Sequence, residues 1–135
     1  MFVVGSGNLS KALWGQQGKF AVQRADLRDS LGVTDQSPLK NVGMRNNFEH
    51  FDERIDTWWK DCPAHNHLDR LIGQPSAIEG LSEKEMFRIY DPTAKQIVFW
   101  GQTFNLQEIA TEVDRIFPVA RAEAAKPHWA TDGLS

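Results

Sequence analysis

A single cysteine, Cys62, stands in 135 residues, so no intramolecular disulfide framework is available and the chain fits a reducing compartment. No apolar run approaches the ~18 residues that a membrane span needs. The N-terminus has no basic segment leading into an apolar run with a cleavage site, so the expected location is the cytoplasm, with no membrane partner. Net charge is −3, from 15 basic and 18 acidic residues, which argues against a broad, non-specific nucleic-acid coat. A small cationic site stays open, because one or two well-placed arginines can hold a phosphate. Internal repeats and low-complexity tracts are missing, as are GxGxxG, a P-loop GK[ST] and any Ser-His-Asp context.

What is present is ordinary for a globular chain: 41% hydrophobic and 24% charged residues. The length predicts one domain, large enough to bury roughly two thirds of its unfolded surface. The opening MFVVGSGNLSKALW places Phe2, Leu9 and Leu13 on one helical face. No cap residue precedes it, so either the native start lies here or an earlier piece comes before it. Gly5-Ser6-Gly7 is read as close helix packing, since a phosphate loop would need a preceding strand.

After the break from Gly15 to Gly18, KFAVQRADLRDSL predicts a second helix with Gly32 as its C-terminal cap. Ser37-Pro38 predicts the start of a third helix, Ser as N-cap and Pro at the first helical position. That helix should run to about Lys60, ahead of Pro63. Residues 61–81, with Pro63, Gly73, Pro75 and Gly80, read as a loop. MFRIY and QIVFW around DPTAK predict a β-hairpin over about 86–100, with Phe87, Ile89, Ile97 and Phe99 as candidates for burial. Asn105 with Glu108 forms a capping-box-like start to a last helix, whose inner face carries Leu106, Ile109, Val113 and Ile116. Pro118 should end or kink it. The expected organisation is one domain over 1–124 and a flexible tail over 125–135.

Within the third helix, Met44, Phe48, Phe51, Ile55 and Trp58 make an apolar face that needs no cofactor to explain it. Asn46, His50 and Arg54 form an i, i+4, i+8 stripe, flanked by Glu49, Asp52, Glu53 and Asp56. Arg45 lies about 140° around an ideal helix from His50, within reach of a long side chain. Periodicity alone makes this a solvated, salt-bridged face. Cys62, His65 and His67 carry zinc-ligand chemistry, but they lack a fourth ligand and a standard spacing, so a loop with incidental histidines is the preferred reading and no metal is expected. His128-Trp129 in the tail is similarly uninformative.

Arg45-Asn46, three residues and then His50 resembles the signature of the HEPN superfamily: an Arg, a polar residue, and a His four to six positions on. RNNFEHFDERID also resembles a group of uncharacterised bacterial HEPN-like proteins, with further likeness over SGNLSKALW, SPLKNVGMRNNFEHFDERID and Tyr90-Asp91-Pro92. The resemblance implies a mainly α fold, a helical bundle with one inserted β-hairpin, that forms a homodimer with its motif helices facing. It implies a metal-independent endoribonuclease without cofactor, of toxin or defence type, with RNA as substrate and an antitoxin as a further partner. Arg45 would bind the scissile phosphate, His50 would act as acid/base, and Asn46 would position either. An imidazole exchanges protons near neutral pH and a guanidinium stabilises charge on phosphoryl oxygens. Two other classes stay open: a non-catalytic helical dimerisation or interaction module, and a small-ligand or nucleotide binder using the same cleft.

Overall fold

The computed structural model describes residues 2–127. Five α-helices and four strands follow in the order α1 (Phe2–Trp14), α2 (Ala25–Ser30), α3 (Gly43–Glu49), α4 (Phe51–Asp61), β1 (Leu71–Ile72), β2 (Ile89–Asp91), β3 (Gln96–Phe99), β4 (Gln102–Asn105) and α5 (Leu106–Ala124). The strands form one mixed sheet in the order β1-β2-β3-β4, with β1 parallel to β2 and the other pairs antiparallel. This overturns the expectation of a mainly α, HEPN-like helical bundle with one hairpin. The fold is mixed α/β.

Two features of the chain produce the larger sheet. The predicted hairpin is there, with Asp91 opposite Gln96 and the Asp91 carboxylate accepting from the Thr93 and Ala94 amides to fix the turn. A second hairpin follows at once, because Trp100 and Gly101 both take positive φ (52° and 72°), the geometry of a two-residue turn whose twist matches paired strands. The run read as a loop over 61–81 also contributes β1, which pairs Leu71 with Ile89. An isolated bridge between Leu68 and Met86 leads into that pairing.

The helices cover one face of the sheet. There Phe99 and Phe104 meet Phe48, Phe51 and Met44 in the main core, and Phe51 packs edge-on to Phe87 and Phe99. On the other face Ile89, Val98 and Met86 are covered by Leu68, Leu71, Ile78 and Leu81 from the long connection. Of the hairpin residues expected to be buried, Phe87, Ile89 and Phe99 are fully so, and Ile97 is half-buried.

Two helices differ from their expected extents. The second is helical only over Ala25–Ser30; its earlier half is turn, while Gly32 (φ 65°) closes it with Gly32 N–H on Asp29 O and Val33 N–H on Arg28 O. The third is three pieces. Ser37 caps a short 3₁₀ turn over Pro38–Lys40 as expected, accepting from the Leu39 amide. The Asn41 side chain then takes the Gly43 N–H (2.8 Å), a local bond that competes with helix continuation. The last break is at His50 (φ −108°, ψ 38°), between α3 and α4, although bonds from His50 N–H to Asn46 O and from Arg54 N–H to His50 O carry across it.

Asn105 caps α5 through the Glu108 amide (2.9 Å), and the helix runs on through Pro118 to Ala124. Ile109 is buried, and Leu106, Val113 and Ile116 pack on the core. Among the described residues no helix is long and apolar enough to cross a membrane. His128-Trp129 and most of the 125–135 tail lie outside the described residues.

Candidate functional site

Arg45 points inward. Its side chain is 9% exposed, and it runs across Gly7 of α1 so closely that a Cβ there would come within 1.9 Å of the Arg45 Cδ. Within the GSG stretch the close packing belongs to Gly7, which leaves the channel in which the arginine lies, while Gly5 is exposed with nothing against it. The guanidinium turns back along its own helix, with Nε 3.0 Å and Nη2 2.8 Å from Glu49 Oε1, an i, i+4 pair. Its other terminal nitrogen, Nη1, has no acceptor among the described residues.

Asn46 is exposed, and the neighbouring Asn47 is the buried amide. Asn47 donates to Gln102 of β4 (2.9 Å) and accepts from Arg54 Nε of α4 (3.0 Å), so it ties both helices to the sheet. Sequence reading passed over Asn47 because nothing local separates two adjacent asparagines; which one is buried depends on where β4 lies. His50, at the hinge, is half exposed, with Nδ1 3.3 Å from Glu53.

Arg45, Asn46 and His50 nonetheless line one open cleft of about 460 Å³ between α1, the segment after it and the α3–α4 hinge. Lys11 from α1, Lys40 and Arg54 also line it, so four permanent cations face one lining carboxylate, Glu49. Asp35, just outside, sits 3.1 Å from Lys40 and accepts from Trp14 Nε1 (3.0 Å); the Trp14 bond first, then Lys40, holds its carboxyl below the usual range. The C-terminal end of α1 also borders the cleft, and bare carbonyls there would repel an anion. They are occupied: Arg24 donates to Lys11 O and Ala12 O, and Arg28 donates to Leu13 O (2.8 Å).

The sequence did not indicate Lys11 and Lys40, which reach the cleft from separate segments. Glu49 as a partner of Arg45 had an available signal in the i, i+4 spacing. Cys62, His65 and His67 have packing roles. The His65 ring stacks on Trp59 with centroids 3.7 Å apart, His67 lies against Phe87 at 4.4 Å, and Cys62 is buried. A further ion pair, Asp69 with Arg88, fixes the long connection to the start of β2. Arg88 Nε is 2.9 Å from Asp69, and the hydrogen bond from Arg88 holds the Asp69 carboxyl below its ordinary range. Fold and cleft together define a small mixed α/β domain with a cationic, solvent-open cleft at a helix hinge. Comparison with protein-family models, with curated proteins and with solved structures finds no match.

Proposed function

We propose that the chain is a HEPN-like, metal-independent endoribonuclease of toxin or defence type, with its motif carried on an α/β scaffold, acting as a cytoplasmic homodimer. One observation carries the reading: Arg45, Asn46 and His50 open onto one cleft whose other charged walls are mainly cationic. In this reading the RNA 2′-oxygen attacks phosphorus and the bond from phosphorus to the 5′-oxygen breaks, leaving a 2′,3′-cyclic phosphate and a free 5′-hydroxyl. His50 of one protomer accepts the 2′ proton and the second copy's His50 protonates the leaving oxygen. Arg45 neutralises charge on the phosphoryl oxygens and Asn46 orients the phosphate. RNA is the expected partner, with an antitoxin protein as a further one.

The alternative is a non-catalytic interaction module, and the Arg45–Glu49 pair laid against Gly7 favours it, since that geometry is complete without a ligand. Incubation with single-stranded RNA in EDTA separates the two. The enzyme reading expects RNA, and not DNA, to be cut, with a loss of about a hundred- to ten-thousand-fold in His50→Ala. Because His50 is exposed, that variant should keep its melting temperature. Cleavage that persists in both His50→Ala and Arg45→Ala would make the motif structural.

A further inference from the structure

We infer that the cleft is a phosphate site in which Glu49 occupies Arg45 as a built-in competitor, and that Lys11 is the second cation of that site. The inference rests on the phosphate-facing role given to Arg45 above and adds what completes and limits it.

Arg45 brings Nε (3.0 Å, a hydrogen bond) and Nη2 (2.8 Å) to a single carboxylate oxygen of Glu49, while Nη1 has no acceptor among the described residues. A planar fork set against one oxygen, with Nε as its donor, is only part used, because a bidentate oxyanion takes two parallel N–H bonds on two oxygens. Glu49 is more than a third exposed, so it can leave for solvent at small cost, whereas Arg45 is held by its bed on α1. The mobile partner is the acid.

Lys11 is placed by the helix that makes the bed. Gly7 and Lys11 stand one turn apart on α1, hence on the same face, and the Arg45 side chain lies across Gly7. Lys11 lines the cleft and makes no ion pair among the described residues, unlike Lys40, which is engaged by Asp35. Arg24 and Arg28 cover the carbonyls at the end of α1 that would otherwise repel an anion beside Lys11. An entering phosphate monoanion or diester would exchange with Glu49 at Arg45 and take Lys11 as its second contact.

Inorganic phosphate, titrated into the intact chain and followed by amide and arginine Nε–H resonances, tests this without reference to cleavage. The Arg45 Nε–H signal should move as phosphate displaces Glu49. Glu49→Gln should bind about tenfold more tightly, because a like charge leaves the site, and Lys11→Ala about tenfold more weakly. Should Glu49→Gln fail to fold, the parent's Arg45 resonance and the Lys11→Ala titration carry the decision. An unmoved Arg45 signal, or a Lys11→Ala variant that binds as the parent does, overturns the inference. Phosphate binding with this pattern but no RNA cleavage would sustain the site and remove the ribonuclease reading. Cleavage that proceeds without it would do the reverse.

Discussion

Two glycines two positions apart in α1 have opposite roles, and the difference is only what lies above each one. At Gly5 an added methyl meets nothing within 4 Å, so Gly5→Ala should stabilise the chain by about 0.5–1 kcal/mol through helix propensity. At Gly7 the same methyl collides with the middle of the Arg45 side chain, so the arginine would have to leave its bed on α1. Gly7→Ala should therefore cost about 1–3 kcal/mol despite the same propensity gain. Urea midpoints for the pair check both signs. Asp69 makes a second residue-scale prediction. Its folded carboxyl is held low by Arg88, so the stabilisation is fully present above the unfolded value near pH 4 and is lost as pH falls through the lower folded one. Asp69→Asn should lower stability at pH 7 by about 1.5–3 kcal/mol and flatten the acid limb of stability against pH; an unchanged acid limb would count against the pair.

At the scale of elements, the hinge at His50 and the turn at Trp100-Gly101 decide the architecture. Phe48 and Phe51, on either side of the hinge, both pack on Phe99, with ring centroids 6.1 and 6.0 Å away. The turn holds Gly101 at φ 72°, which disfavours any side chain, and the Glu83 carboxylate, 2.5 Å from where a Cβ would stand, would have to swing aside. Gly101→Ala should cost at least about 1 kcal/mol and speed amide exchange in β3 and β4, measured against Gly80→Ala, which shares the positive φ but has nothing nearby. Equal effects at the two glycines would show that conformational strain alone matters. The N-cap of α5 is worth about 1 kcal/mol in Asn105→Ala, although Asn105 also pairs with Gln96 in the sheet.

For the molecule as a whole, the proposed chemistry needs two copies, because one His50 cannot both accept and donate the proton in a single transfer step. Sedimentation equilibrium should return twice the 15.3 kDa chain mass at micromolar concentration, and RNA cleavage should fall with dilution through the same range. A monomer that cuts RNA at constant specific activity would refute the composite site.

Local chemistry wrote much of this structure into the sequence. The caps at Ser37 and Asn105, the closure at Gly32, the β2–β3 turn and the apolar face of α5 all depend on residues a few positions apart, so they were legible. The face expected for α1 was not: Leu13 is buried, but Phe2 and Leu9 are exposed, and the inner face carries Val3, Ser6, Gly7 and Ser10. The two-residue turn that starts β4 was also local, but a glycine after an aromatic is a weak signal beside an established strand. Other features had no local cause. The strand at Leu71-Ile72 exists because β2 offers it a paired edge, and the break of the motif helix at His50 accompanies rings that meet on Phe99. The motif residues were visible as Arg45, Asn46 and His50, while their surroundings were not. Lys11, Lys40 and Arg54 come from three segments, and the burial of Arg45 follows from the missing side chain at Gly7, 38 positions away. Sequence sets what each residue can do nearby; chain closure sets which residues share a cleft, because that depends on loop paths and packing between elements.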